Sequence, residues 1–217
     1  MHLCYILGAS NAGKTTLIKQ LEEAGLSLAS IRVGEEMRKR HPPSFFQGQG
    51  APEKTRKEAW EVFSSGFLQH AGSVDYILVD GQPRRIEETE QLIGTEARIG
   101  AWALAEIPRT FIYLHADQQT LVGRCCERFQ VSPGIQDLLT AGKWSPADLL
   151  RSAGQALDDQ LISSDVYYNI CRVVNDPIAL LPILLRLYRG GEIFRQLDST
   201  DEGLFDSALS FLLTLRT

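Results

Sequence analysis

The segment Gly8-Ala9-Ser10-Asn11-Ala12-Gly13-Lys14-Thr15-Thr16 constrains the fold more tightly than any other stretch of the chain. It has the form G-x-x-x-x-G-K-[ST]. An apolar run at residues 3–7 precedes it, and a helical pattern of Leu17, Ile18, Leu21 and Ala24, ended by Gly25, follows. A strand, a glycine loop and a helix in that order make a phosphate cradle, because the glycines let backbone N–H groups curl around phosphate oxygens with the positive end of the helix behind them. Gly8, Asn11, Ala12, Gly13, Lys14, Thr15 and Thr16 are the expected contacts of a nucleoside triphosphate, ATP. Lys14 would reach its β- and γ-phosphates, and the Thr15 hydroxyl would hold Mg²⁺. The competing reading, a plain glycine turn, is disfavoured by the correct flanks.

The chain has 217 residues, enough for one domain with a substantial core. The longest apolar stretch, at residues 178–185, is too short to span a bilayer and contains a proline, so no membrane association is expected. The first strand begins within two residues of Met1, which leaves no room for a signal peptide. Cys4, Cys125, Cys126 and Cys171 lack metal or redox spacing and read as core thiols of a cytoplasmic protein. Scattered His2, His41, His70 and His115 offer no metal site. A net charge of −5 argues against nucleic-acid binding by bulk electrostatics, though Arg38-Lys39-Arg40-His41 forms a local basic cluster. The composition leaves the oligomeric state open.

Strand and helix patterns alternate, which predicts βαβ units and a parallel sheet. Strands are expected at residues 3–7, 28–33, 76–79, 110–114 and 170–174. Helices are expected at 15–24, 35–40, 52–71, 86–105, 118–129, 146–162, 177–188 and 204–215. Two irregular segments interrupt them. Residues 41–52 are rich in Pro, Gly and Gln and read as an ordered loop; residues 129–146 carry a short helical piece at 135–140.

Asp80 closes the apolar run Tyr76-Ile77-Leu78-Val79 and is followed by Gly81-Gln82-Pro83-Arg84-Arg85. A carboxylate at the end of a strand after a phosphate loop suits the water shell of Mg²⁺, whereas Asp-Gly on its own also marks a turn. The arginines would face the same carboxyl edge of the sheet, where α/β proteins bind ligands.

Asp80-Gly81-Gln82-Pro83-Arg84 resembles the DGFPR signature of adenylate kinases and related nucleoside monophosphate kinases. Arg32-Val33-Gly34-Glu35-Glu36-Met37-Arg38 resembles that family's acceptor-contacting S-T-G-D-x-L-R segment. Phe111–Leu114 with Leu121–Arg128 resembles the strand, helix and paired arginines leading into its lid. The resemblance implies an α/β fold, three-layer α/β/α of the P-loop type. Its parallel sheet would have about five strands, and residues 1–217 would form one kinase domain with an acceptor-binding insert at about 34–72 and a lid-like insert at about 129–150. It implies ATP and Mg²⁺ as donor and cofactor, Lys14 on the transferring phosphate, and Thr15 and Asp80 on the metal. Arg38 and Arg84 would bind the acceptor's phosphate or its equivalent. Arg124 would lie against the donor, and Arg128 would stabilise charge on the transferring group. Arginine suits such work because its fork holds phosphate with two parallel bonds and keeps its charge.

Departures from the family concentrate on the acceptor side. Gln82 replaces the aromatic of the signature, Glu88 stands where an amide reads the acceptor base, and Val33 stands where a Thr hydroxyl contacts adenine. A carboxylate cannot supply the mixed donor and acceptor that an adenine edge requires, so the expected acceptor is a nucleotide other than AMP. Phe45 and Phe46, in the loop after the acceptor segment, could stack on a base or pin the loop to the core. The post-lid region keeps Asp158-Asp159 but has Ala156 and Tyr167 where the family has arginines, with Arg151 as a candidate substitute. Cys171–Pro177 resembles the V-V-N-D strand end of guanylate kinase-like proteins. Two alternatives remain: a kinase of a hydroxymethylated pyrimidine in DNA, of the phage type, and a P-loop nucleotide-binding protein without transferase activity.

Overall fold

Short apolar runs, each followed by an amphipathic stretch, fold into a sheet with helices on both of its faces. A computed structural model describes residues 1–41, 53–84, 86–140 and 145–215. Strands β1 (His2–Gly8), β2 (Leu28–Arg32), β3 (Tyr76–Asp80), β6 (Arg109–His115) and β7 (Ile193–Asp198) form one sheet in the order β2-β3-β1-β6-β7. Every neighbouring pair in it is parallel. A two-stranded antiparallel hairpin, β4 (Arg98–Ile99) and β5 (Trp102–Ala103), stands apart.

Alternate residues of the central strands feed two cores, as a sheet buried on both faces requires. Cys4, Ile6, Leu78, Ile112 and Leu114 face one side. They meet Leu17, Ile18 and Leu21 of α1 (Lys14–Glu23), Leu121 and Cys125 of α5 (Gln118–Arg128), and Leu212 of α9 (Leu204–Thr214). Leu3, Tyr5, Leu7, Ile77, Val79 and Phe111 face the other side. Phe63 and Phe67 of α3 (Glu53–His70) and Leu92 of α4 (Ile86–Ile93) cover them, with α2 (Val33–Arg40) contributing Val33 and Met37. This is the expected three-layer α/β/α P-loop fold. Tyr76 fastens α9 to the sheet by donating its hydroxyl to the Leu212 carbonyl at 2.8 Å.

The C-terminal third departs from expectation. Residues 170–174 lie not in a strand but within α8 (Ser164–Arg189). Val166, Ile170, Val173 and Val174 are buried, a spacing of one helical face that outweighs the β-branched content of Cys-Arg-Val-Val. Ser163 caps the helix, its side chain accepting from the Val166 N–H. Pro177 and Pro182 lie inside α8 without ending it. The fifth strand is instead β7 at the sheet edge, where Leu197 is its one buried side chain. Its apolar residues Ile193, Phe194 and Leu197 do not alternate with polar ones, so there is little period-two pattern to read. The expected helix over 86–105 stops at Ile93, and Gly100, at φ 59°, turns the hairpin that follows.

Within the segment expected to form a lid, α6 (Pro133–Thr140) buries Leu139 in the first core, and α7 (Pro146–Asp158) packs on α8. Phe45 and Phe46 lie outside the described residues. The four cysteines are free thiols, and burial pushes the Cys125 thiol up to about 12, which leaves it inert. No described helix is long and apolar enough to cross a membrane.

The helical assignment of α8 separates neighbouring apolar residues. Ile170→Ala should lower unfolding free energy by about 2–5 kcal/mol, because the side chain is fully buried. Ile178→Ala, at a side chain 64% exposed, should stay within about 0.5 kcal/mol in denaturant titration.

Candidate active site

The phosphate loop leaves β1 at the centre of the sheet. Gly8 has φ 152°, and a Cβ on it would come within 2.9 Å of the Leu114 carbonyl oxygen on the adjacent strand. Gly13, at φ 88°, starts α1 in the left-handed conformation. No side chain caps α1, so its first N–H groups remain open toward the loop, as an anion site needs. Lys14 turns back and donates to the carbonyls of Gly8 and Ala9, both at 2.7 Å. Burial lowers its ammonium pKa to about 8; Asp80 and Asp176 oppose that shift, while Arg84 and Arg172 add to it.

Register brings the metal candidates together. Ile6 pairs with Asp80, so the end of β3 lies beside the root of the loop. The Thr15 hydroxyl points to Asp80 Oδ2 at 3.4 Å, and Asp80 is buried. A hydroxyl and one carboxylate next to a phosphate site fit Mg²⁺, which takes its remaining ligands from water and substrate phosphates. Among the described residues no group of three His, Cys, Asp or Glu side chains converges as a protein-only metal site.

The residues expected on the acceptor side bring guanidinium groups together. Arg84 donates from Nε to the Gly81 carbonyl at 3.0 Å, and its own N–H is accepted by Glu88 Oε2 at 2.7 Å. Glu88 thus anchors the loop that carries Arg84. Gly34 makes room for the cluster: a Cβ there would lie 2.7 Å from Arg84 Nη2 and 3.6 Å from Arg38 Nη1. Gly81, at φ 93° and against the Gly34 backbone, tolerates no side chain. Gln82 beside them is buried, and among the described residues its Oε1 has no hydrogen-bond partner. A buried unpaired carbonyl oxygen invites a donor from a ligand.

Arg124 and Arg128 occupy one face of α5. Arg124 is held against the loop, donating to Asn11 O at 3.4 Å, Ser199 Oγ at 3.0 Å and Ser199 O at 2.7 Å. Arg128 is exposed, over the Phe129 ring at 5.6 Å.

Two further residues enter from α8. Burial, then the Arg84 charge, lowers the Arg172 pKa, and the charges of Arg38 and Arg128 reach it as well. Burial and Arg84 act on Arg38 in the same direction. Asp176 Oδ2 accepts from the Ser10 N–H and the Ser10 hydroxyl, each at 2.7 Å. Reading 170–174 as a strand hid this pair. The signal was available: Arg172 and Asp176 stand four apart, on one face once the segment is helical. Cations therefore outnumber carboxylates around the loop, and mutual repulsion among them is relieved by a bound polyanion.

The chain matches no known protein family and no curated protein. Among solved structures it is similar to a gluconokinase from Sinorhizobium meliloti 1021 at 15% identity and a TM-score of 0.49, over 99% of this chain and 93% of that one. It is also similar to a sugar kinase from Janibacter sp. HTCC2649 at 18% identity and a TM-score of 0.46, over 97% and 93%. At that identity and overlap, neither likeness bears on what this chain binds.

Phosphate needs Lys14 protonated. ATP affinity should therefore be full below pH 8 and weaken by up to about tenfold per pH unit above it, with proton uptake on binding seen by calorimetry in buffers of different ionisation enthalpy. Gly34→Ala should displace the Arg84 guanidinium, a flexible end, with little loss of stability. ATP binding should persist in that variant while turnover of the acceptor falls.

Proposed function

We propose that the chain is an ATP- and Mg²⁺-dependent phosphotransferase that moves the γ-phosphoryl group to a nucleotide-type acceptor other than AMP. The observation that carries this reading is the second set of cations. A nucleotide-binding switch needs the phosphate loop alone, whereas here Arg84 and Arg172 lie within electrostatic reach of Lys14, and Arg38 lies beside Arg84 at Gly34. Phosphoryl transfer asks the protein for little covalent chemistry and for much fixed positive charge.

The residues divide the work by position. The loop N–H groups and Lys14 would hold the β- and γ-phosphates, Lys14 exchanging the Gly8 and Ala9 carbonyls for phosphate oxygens. Arg124, fixed against the loop, would flank the donor. Thr15 and Asp80 would hold Mg²⁺, which supplies charge neutralisation between the phosphates when bound. Arg84 and Arg38, kept in place by Gly81 and Gly34, would clamp the acceptor's anionic group, and Arg128 would offset charge on the group in flight. Gln82 would accept a hydrogen bond from the acceptor. The altered acceptor positions Gln82, Glu88 and Val33 support a substrate other than AMP.

Radiolabelled ATP offered with each nucleoside monophosphate, with nucleosides, with gluconate, and with DNA bearing ordinary or hydroxymethylated pyrimidines tests the reading. Label in a nucleotide other than AMP supports it; label in no acceptor sinks it, and label confined to DNA or to gluconate moves the acceptor to that class. Lys14→Ala should lower kcat by about 100-fold or more. Arg84→Ala should reduce acceptor turnover while ATP binding is kept, and unchanged acceptor kinetics would remove Arg84 from the site.

A further inference from the structure

Asp176 has no part in the scheme above. It lies on α8 with its carboxylate against the phosphate loop, and a negative charge there repels the anion that the loop is built to hold. A metal would be held by Thr15 and Asp80. What Asp176 can serve is the acceptor, and acceptors differ in one decisive respect. A phosphate oxygen arrives ionised and needs no base, so a neighbouring carboxylate only opposes it. An alcohol must shed its proton as it attacks phosphorus, and a carboxylate within hydrogen-bond reach takes that proton.

We infer that the acceptor's nucleophile is an alcohol hydroxyl and that Asp176 is the general base that deprotonates it. This inference rests on the phosphotransferase reading and narrows its substrate class to a hydroxyl-bearing acceptor. The geometry is that of an oriented base. Ser10 holds Oδ2 with two donors at 2.7 Å, and among the described residues Oδ1 makes no hydrogen bond, so it remains for the hydroxyl. Ser10 lies within the phosphate loop itself, which puts the carboxylate at the phosphate end of the donor. The charged side chains whose electrostatics Asp176 enters are Lys14 of α1 and Arg172, one turn earlier on α8. In the step, the hydroxyl oxygen forms a bond to the γ-phosphorus while the bond from that phosphorus to the β,γ-bridging oxygen breaks. The hydroxyl proton passes to Asp176, ADP leaves with the bridging oxygen's electron pair, and the product is a phosphomonoester. The proton then returns to solvent.

Asp176→Asn keeps an oxygen able to accept from Ser10 but cannot take a proton. Three measurements on the full chain test the assignment: fluorescent ATP binding, ATP hydrolysis with water in place of the alcohol, and label transfer to the alcohols and monophosphates of the panel. The expected result is binding within about threefold of wild type with kcat for hydrolysis and alcohol transfer lower by about 100-fold or more. Asp176→Glu should recover part of that rate. An Asn variant within about threefold of wild type in kcat overturns the inference, as does label on the phosphate of a monophosphate. Loss of ATP binding in the Asn variant also overturns it, since Asp176 would then only shape the loop. If the wild type neither hydrolyses ATP nor labels any acceptor, the phosphotransferase reading itself falls, an outcome distinct from a wild type that turns over and an Asn variant that matches it.

Discussion

The placement of β1 between β3 and β6, parallel to both, is the constraint on which the site depends. Parallel strands end at the same edge, so the loop after β1 opens between the ends of its two neighbours. Pairing of Ile6 with Asp80 then sets the carboxylate beside Thr15, and pairing of Gly8 with Leu114 brings a carbonyl so close that position 8 must lack a side chain. The cradle is thus shaped by strand spacing as much as by its own glycines. A one-residue slip of β1 would turn its core-facing side chains to the opposite face and separate the loop from Asp80.

Around that fixed centre the protein arranges cations whose mutual repulsion Asp80 and Asp176 offset only in part. Small residues are part of that arrangement. Gly34 and Gly81 touch through backbone, which leaves the volume beside them to the Arg84 guanidinium, and Glu88 secures the same loop from the far side. Charge and steric space are specified together here. An arginine kept at position 84 without glycine at 34 would have to move its guanidinium aside.

Much of this was legible in the sequence wherever a local rule dictates the geometry. The phosphate loop, Asp80 at the end of a buried strand, and the short apolar runs of β1, β3 and β6 declare themselves through glycine spacing and core patterning. Legibility failed where the fold rests on partners far along the chain. β7 pairs along β6 at the edge of the sheet, and of its side chains only Leu197 is buried, so its own pattern is weak. Residues 170–174 carry β-branched side chains, yet their burial repeats at the period of a helix that α5 and α7 support. The Asn-Asp-Pro sequence at 175–177 suggests a turn, but proline within a packed helix is tolerated when its neighbours hold the rest in place. Arg172 and Asp176 therefore look like parts of a strand end and a turn, and the bond from Ser10 to Asp176 joins parts of the chain 166 positions apart.

The two prolines of α8 have a mechanical consequence. Pro177 cannot donate to the Val173 carbonyl, nor Pro182 to that of Ile178, so the helix lacks rungs just past Asp176. Before that point α8 is embedded in the first core through Ile170 and Val173; after it, Ile183 and Leu187 belong to the second. The rod therefore has its most compliant stretch next to the phosphate loop, between two well-anchored ends. Bending there would shift Asp176 relative to Ser10 while each end kept its packing, so the stiffness of one helix would set how closely its carboxylate approaches the phosphate loop.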